Sequence, residues 1–590
     1  VSYNPMNPII VQGDRTVLLE VANPLYEEAR DVLARFAELE KSPEHIHTYR
    51  ITPLSLWNAA AAGDTPESVL RDLARLSKYP LPGNLVADIR DYMSRYGRLK
   101  LLKEDGRLLL RSDDPLLLTE VLHSKRLAPF LLRRLDEHTV LVRGEMRGHL
   151  KQALVEFGWP AEDLAGYVPG APLEFTLREL TLSGKRFVLR PYQHEAVEAY
   201  WAGGASKGGS GVVVLPCGAG KTIVGLAAMA KAQCHTLILC TGTNAVHQWI
   251  SEILDKTTIT PDQIGEYTGD VKEIRPITVT TYQILTYRPG RRKRKEAELQ
   301  LSDYGEHTAR ALEEEYPHLA LFNSRDWGLI IYDEVHLLPA PVFRITAEIQ
   351  ARRRLGLTAT LVREDGRESD VFSLIGPKKC DVPWKVLEKQ GWIATAECWE
   401  IRVHLAPEVR LEYAVAEDSR IKYRIAAENP IKEQVVERLV PMHRDDHVLI
   451  IGQYIEQLER LARRFNAPLI TGKTPALERE KLYDRFRRGE IHLLVVSKVA
   501  NFAIDLPEAN VAIQVSGTFG SRQEEAQRLG RILRPKADGS QAHFYTIVTR
   551  DTNDQDFAAN RQLFLTEQGY RYTILDASEL LARVEQGIVD

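Results

Sequence analysis

Lys221 and Thr222 open a helix-like stretch directly after a turn containing Gly218 and Gly220, and an apolar run from Gly211 to Leu215 leads into that turn. A strand, a glycine turn and a helix start, in that order, aim backbone N–H groups and the positive end of the helix dipole at an anion. Lysine in the first helical turn adds a point charge for a β- or γ-phosphate, and the hydroxyl after it is a ligand for Mg²⁺. The octet Leu215-Pro216-Cys217-Gly218-Ala219-Gly220-Lys221-Thr222 departs from the general phosphate-loop pattern at one place, where Leu215 stands for the first glycine. A second apolar run, Leu329-Ile330-Ile331-Tyr332, ends in Asp333-Glu334-Val335-His336. An aspartate closing a buried strand can hold the metal, and a glutamate beside it can polarise the attacking water. His336 is placed to contact a γ-phosphate, to link to another lobe or to cap a helix.

Two further sets complete such a site. Arg190, Pro191, Tyr192 and Gln193 precede a helix about thirty residues before the loop. The Gln193 amide matches the N6/N7 edge of adenine, Arg190 can stack on or touch the base, and Tyr192 packs locally. Far downstream, Gln527, Arg531 and Arg534 fall on one face of a helix. An amide and two guanidiniums aimed into a cleft suit arginine fingers that stabilise phosphoryl-transfer charge; a plain surface helix is the alternative.

Positioning these groups requires parallel strands alternating with helices. Apolar runs at Val212–Leu215, Thr236–Cys240, Ile277–Thr281, Leu329–Tyr332 and Leu355–Leu357 supply one such set. Val448–Gly452, Pro468–Thr471, Leu493–Ser497, Val511–Val515 and Phe544–Val548 supply another, so the expected class is α/β with two tandem parallel-sheet lobes. Before them, three helical stretches (Leu54–Ala62, Pro66–Ser77, Leu85–Tyr96) run into two alternating segments joined at Asp105-Gly106, a hairpin-turn signal. Three helices and a hairpin read as winged-helix-like, a module for duplex DNA or a protein partner. A strand at Thr139–Arg143 and a helix at Arg147–Phe157 suggest a small α+β unit that ends near Val168-Pro169-Gly170-Ala171-Pro172. The expected division is thus 1–112, 113–175, 176–382 and 383–590. The basic run Arg291-Arg292-Lys293-Arg294-Lys295 opens an insertion over 288–325, read as a solvated surface, a DNA-backbone contact or a nuclear-import patch.

Composition agrees with this size and excludes other classes. The chain has 590 residues, 44% hydrophobic and 27% charged, with 77 basic and 81 acidic side chains for a net charge of −4. That is an ordinary globular balance, room for three to five domains of ~100–200 residues, and no bar to a local basic track. No apolar run reaches the ~18–20 residues of a membrane span, which points to the cytoplasm and away from a membrane. Cys217, Cys234, Cys240, Cys380 and Cys398 are scattered without a CxxC pair, so neither an iron–sulfur cluster nor a disulfide framework is expected.

The motifs, in this order, resemble a superfamily 2 nucleic-acid motor, and more narrowly the XPB-type helicases. The resemblance rests on Pro216–Lys221 with its substituted glycine, Asp333-Glu334-Val335-His336 and Leu357-Thr358-Ala359-Thr360-Leu361-Val362-Arg363-Glu364-Asp365. It also rests on Asp505–Val511, Arg522–Arg531 and Phe564–Tyr570, and it runs from about Arg190 to Tyr570. It implies RecA-like lobes, ATP and Mg²⁺ as cofactors, and a 3′–5′ DNA helicase or translocase that opens or remodels duplex in DNA repair. DNA, single-stranded, forked or damaged, is the implied partner. Thr358 and Thr360 take the place of the motif linking hydrolysis to lobe movement. Thr241, the Gln248-Trp249 pair and Thr281 take strand-contacting places, Asp505 lies in a further coupling motif, and Arg363, Glu364 and Asp365 form the family signature loop. The region 113–175 resembles a damage-recognition unit, and a thumb-like insertion is implied near 405–430, where Tyr413, Arg420, Lys422 and Tyr423 offer cations and rings to a backbone. The competing reading is an ATP-driven duplex translocase, annealing factor or conformational scaffold that recruits a repair nuclease without processive unwinding.

Overall fold

Along Thr16–Glu20 only Val17 and Leu19 are buried, the alternation of a strand packed on one face. The computed structural model describes residues 3–42, 45–206, 208–216, 219–289, 312, 314–359, 366–382, 387, 396–497, 509–517, 542–567 and 570–585. Its first strands are β1 (Ile9–Val11), β2 (Thr16–Glu20), β3 (Glu38–Lys41) and β4 (Ile46–Arg50), an antiparallel sheet of order β1-β2-β4-β3. Helices α1 (Tyr26–Phe36), α2 (Pro53–Ala61), α3 (Pro66–Leu76) and α4 (Gly83–Arg95) share one core with its apolar face. Thr52 and Thr65 start α2 and α3 with reciprocal capping boxes to Ser55 and Ser68, each followed by proline at the first helical position.

The expected hairpin follows as β5 (Leu99–Glu104) and β6 (Arg107–Arg111). Asp105 and Gly106 both take positive φ, 50° and 76°, as a two-residue turn of this hand requires. It is not a wing on the preceding helices, and here the winged-helix-like reading is corrected. With β7 (Leu131–Asp136), β8 (Thr139–Val142) and β9 (Ala161–Asp163) it forms a five-stranded sheet of order β7-β8-β6-β5-β9. Leu99, Leu101, Leu108 and Leu110 pack against α5 (Pro115–His123) and α6 (Arg147–Phe157), in a core distinct from that of the first module. A hairpin with apolar residues on one face needs a helix to cover it, and α6 is that helix. Residue 112 therefore falls between two paired strands of one sheet, not between two units.

The first lobe holds β10 (Ser210–Val214), β11 (Thr236–Cys240), β12 (Ile264–Tyr267), β13 (Ile277–Thr281), β14 (Leu329–Asp333), β15 (Arg353–Thr358) and β16 (Lys378–Asp381). They form one parallel sheet of order β12-β13-β11-β14-β15-β10-β16. Ile238, Ile331 and Leu355 face α7 (Pro191–Trp201), α8 (Lys221–Ala232) and α9 (Thr243–Lys256). Their neighbours Leu237, Ile330 and Tyr332 face α10 (Tyr282–Leu285) and α11 (Ala340–Glu348). Burial on both faces is why these strands read as unbroken apolar runs.

The second lobe repeats the plan with β17 (Ala396–Val403), β18 (Val448–Gly452), β19 (Leu469–Ile470), β20 (Leu493–Ser497), β21 (Val511–Gln514), β22 (Ala542–Thr549) and β23 (Arg571–Asp576). All pairs are parallel, in the order β19-β20-β18-β21-β22-β17-β23. Between β17 and β18 stand α12 (Pro407–Val415), α13 (Ser419–Ala427) and α14 (Pro430–Met442). The first two are the helical pair where the thumb-like insertion was expected. Helix α15 (Asn553–Glu567) follows β22.

Candidate active site

Strands β14, β15 and β10 are neighbours, so Asp333, Thr358 and the loop after Val214 emerge side by side at one edge of the sheet. The crevice outside the carboxyl ends of parallel strands is where such folds bind ligands. Leu215 continues the ladder by one residue: its N–H donates to Thr358 O (3.0 Å), and its side chain is fully buried. A residue that still belongs to the strand and its core has reason to be leucine.

The loop is propped from beneath by α7. The Tyr192 hydroxyl donates to Ala219 O (2.6 Å), as does Gln193 Nε2 (3.0 Å), and Arg190 Nη1 donates to the Tyr192 hydroxyl (2.9 Å). Gln193 Oε1 accepts the Arg190 N–H (3.0 Å). Both ends of the Gln193 amide, expected to face a base, are thus each used once by the chain, and the residue is 3% exposed. Gly220 closes the turn at φ 84°, and a Cβ there would lie 2.4 Å from Gln193 Nε2. Only glycine meets both demands.

Lys221 Nζ lies 2.6 Å from Glu334 Oε1, an ion pair with both side chains 13% exposed. Glu334 holds φ 48° and ψ 56°, a left-handed conformation unusual for a non-glycine residue and a form of strain that gathers at functional sites. Burial pushes the Glu334 carboxyl up, but Lys221 and His336 together outweigh it and hold the group below its usual range. Asp333 shifts the other way: burial first, then the Glu334 charge, raise it above the ordinary carboxylate range. Its Oδ2 accepts the Trp249 indole N–H (3.0 Å), and its backbone oxygen accepts the Tyr282 hydroxyl (2.9 Å). His336 is buried, with Nδ1 2.5 Å from Thr358 Oγ1 and 3.5 Å from Glu334 Oε2, so it ties the end of β14 to the end of β15.

Thr222 sits in the first turn of α8, half-buried. Its hydroxyl and the Asp333 carboxylate are hard oxygen donors of the kind Mg²⁺ takes. Asp333, half-buried at the end of β14 with its carboxyl raised by burial and by the Glu334 charge, also suits a cation. Among the described residues no cluster of three or more His, Cys, Asp or Glu could hold a metal by itself.

Other expected residues divide. Thr241, just after β11, is half-buried. Thr281 is 6% exposed and its hydroxyl caps α10, so its side chain is not presented to a strand. Trp249, expected in a strand-contacting pair, is turned inward onto Asp333. Arg420 is exposed on α13, and Lys422 Nζ lies 5.5 Å from the Tyr413 ring centroid. Tyr423 is instead buried, its hydroxyl donating to Gly517 O (2.7 Å), so it offers no ring to a backbone. Gly218, Thr360, Arg363, Glu364, Asp365, Asp505, Gln527, Arg531 and Arg534 lie outside the described residues, as does the basic run 291–295.

Three family models match the chain. One described as ERCC3/RAD25/XPB C-terminal helicase covers residues 387–589, and one described as type III restriction enzyme, res subunit covers 186–363. A third, described as helicase conserved C-terminal domain, covers 9–136, a stretch of small sheets and helices and not a parallel-sheet lobe. The chain is 57% identical over 574 residues to the DNA 3′–5′ helicase XPB of Kineococcus radiotolerans, covering 97% of each. It is 55% identical over 575 residues to the DNA 3′–5′ helicase XPB of Mycobacterium tuberculosis, covering 97% of this chain and 98% of that one. It is 33% identical over 623 residues to the general transcription and DNA repair factor IIH helicase/translocase subunit XPB2 of Arabidopsis thaliana, covering 96% and 78%.

Proposed function

Because the chain belongs to the XPB family of helicases, we propose that it is a DNA-dependent ATPase that moves along DNA 3′ to 5′ and opens or remodels duplex in DNA repair. The observation that carries the chemistry is the Lys221–Glu334 pair at 2.6 Å beside Asp333, at the carboxyl edge of the first sheet. In this reading the glycine turn and Lys221 hold the phosphates of ATP, and Arg190 and Gln193 border the base. Thr222 and Asp333 would hold Mg²⁺, which when bound would neutralise phosphate charge. Glu334 orients the attacking water and takes its proton. Gln527, Arg531 and Arg534 of the second lobe act on the charge that develops at the transferred phosphoryl group. His336 links the acid pair to Thr358, and through it hydrolysis is coupled to the segment of Thr360 and Arg363–Asp365. DNA is held by the surface that begins at Thr241, by the thumb residues Arg420 and Lys422, and by the Asp505 motif. The unit of β5 to β9 with α5 and α6, which takes in the expected 113–175, serves in DNA probing, and the lobe over 176–382 binds ATP.

Among the described residues no helix is long and apolar enough to cross a membrane, and we assign the work to DNA in the cytoplasm, with a repair nuclease as the protein partner. Lys221→Ala tests the core of the reading. DNA-stimulated ATP hydrolysis is expected to fall by about 100-fold or more, the scale for removing a single charge-stabilising donor, while the native circular dichroism spectrum is retained. Unwinding of forked duplex with a 3′ tail and not a 5′ tail is the accompanying expectation. Wild-type turnover in that variant rejects the site, and ATP hydrolysis without unwinding on either fork favours the translocase or scaffold reading.

A further inference from the structure

Gly225 lies one turn into α8, and a Cβ there would come within 2.4 Å of Trp249 Cη2 and 3.0 Å of Cζ3. Glycine inside a helix costs roughly 1 kcal/mol against alanine, so the space it leaves needs a reason. The reason is the Trp249 ring, which is 1% exposed and lies against the phosphate-loop helix with its Nε1 3.0 Å from Asp333 Oδ2. Three elements meet at this ring: α9, which carries it; α8, which yields to it; and β14, whose last residue it holds. Val246, Trp249 and Ile253 form the buried stripe of α9, while His247, Gln248 and Ser251 are exposed.

An aspartate carboxylate rotates freely about its last torsion, which is broad and roughly two-fold. Something outside the residue must therefore decide which oxygen faces the phosphate loop. The indole N–H suits that task because it is a donor only: it fixes Oδ2 and cannot itself compete for a cation. We propose that Trp249 is a positioning residue of the ATP site, which orients the Asp333 carboxylate for the metal through its N–H, and that Gly225 exists to admit it. The inference rests on the reading of Asp333 as the metal carboxylate.

The test compares wild type, Trp249→Phe, and Trp249→Phe combined with Gly225→Ala. The phenyl ring keeps an aromatic body but loses the donor and the outer ring, and the added Cβ refills the space. The readouts are the Mg²⁺ concentration that half-saturates binding of a fluorescent ADP, the same quantity for ATPase, ADP binding in EDTA, and the melting temperature. Removing a hydrogen-bond partner of a metal ligand typically costs 10–100-fold in metal affinity. Trp249→Phe is expected to raise both Mg²⁺ requirements about 10-fold or more and to leave binding in EDTA unchanged. Saturating Mg²⁺ is expected to restore most of kcat. The double variant is expected to recover melting temperature without recovering the Mg²⁺ requirement. An unchanged requirement in Trp249→Phe, or its recovery together with stability in the double variant, overturns the proposal, because packing alone then explains the residue. Asp333→Asn separates the two levels. If Asp333→Asn also leaves the Mg²⁺ requirement unchanged, the metal reading falls with the inference; if it raises the requirement while Trp249→Phe does not, the inference alone is lost.

Discussion

Glu334→Gln probes a competition built into the site. Lys221 must divide its charge and its three N–H donors between Glu334 and a phosphate, and the ion pair is held at 2.6 Å with little solvent to screen it. A hydrogen bond involving an ionised group contributes about 1.5–3 kcal/mol, and losing one of the two charges moves the pair from the upper end of that range toward its lower end. The isosteric amide therefore weakens the hold on Lys221 by about 1–1.5 kcal/mol, and ADP affinity is expected to rise about 5- to 13-fold at that difference. Turnover moves the other way, because the amide cannot take a proton from water. The affinity is best measured in EDTA with a fluorescent ADP. Removing the Glu334 charge also favours ionised Asp333, whose pKa that charge raises, and Mg²⁺ would convert this second effect into apparent nucleotide affinity. Unchanged or weaker binding in EDTA would refute the competition and reduce the ion pair to a support for the loop.

Three further outcomes are expected. Asp163 accepts from Arg147 at 2.7 Å and Lys151 at 3.0 Å, all three side chains under a tenth exposed; Asp163→Ala strands two buried cations and should cost about 3–5 kcal/mol, read as a lowered urea midpoint. Burial, then Arg30, lowers the His47 pKa to about 4 from 6.5. Below pH 6.5 the unfolded chain thus binds a proton that the folded chain refuses until about pH 4. Stability should fall as pH drops through that window, by up to ~3 kcal/mol, and His47→Gln should flatten the decline in melting temperature. If Arg420 and Lys422 each touch a phosphate, replacing both with alanine should weaken DNA binding regardless of sequence and lower the slope of log affinity against log salt by about 2, with ATPase in the absence of DNA unaltered.

Strands buried on both faces were legible because burial writes itself into composition; Thr236–Cys240 and Val448–Gly452 need no partner to be recognised. The lobe strands that escaped notice are β12, β16, β17 and β23, and three of these close an edge of their sheet. Lys378-Lys379-Cys380-Asp381 has no apolar run because its outer side needs none. Strand β17 carries Glu397, Glu400 and Arg402, and buried Glu400 is tolerated only because Arg402 Nε (2.8 Å) and the Tyr572 hydroxyl (2.9 Å) reach it. The hairpin at Asp105-Gly106 is legible but the sheet it joins is not, since a turn signal is local and its sheet partners are distant in sequence. The phosphate loop and the acid pair were legible for a chemical reason: phosphate and metal dictate residue types at short spacing. The Trp249–Asp333 contact spans 84 residues, and only Gly225, a helix breaker kept inside α8, hinted at it.

The two N-terminal modules are joined to the motor unequally, and the difference bears on how the lobes can move. The second is locked to the first lobe. A Cβ at Gly148 would lie 2.5 Å from Ala347 O, and one at Gly170 would lie 2.4 Å from Gly328. Lys151 Nζ donates to Gln350 Oε1 (3.2 Å), Gln152 Nε2 to Asp370 Oδ1 (2.5 Å), and the Val168 N–H to Ala351 O (2.7 Å). Surfaces that meet without side chains between them cannot slide, so this module rides with the first lobe as one body. The first module instead touches both lobes. On the first, Lys378 donates its backbone N–H to Asn58 Oδ1 (3.0 Å) and its ammonium to Ala34 O (3.0 Å). On the second, Gln562 Nε2 of α15 donates to Ser42 O beside β3. Any rotation of one lobe against the other must therefore strain a contact of this module. Among the described residues the charge-assisted bond is on the first lobe, and the hydrogen bond to the second is a neutral one contributing about 1 kcal/mol. Among the described residues, movement between the lobes is therefore expected to strain the Ser42–Gln562 hydrogen bond before the Lys378 contacts, which favours both modules staying with the lobe that holds Lys221.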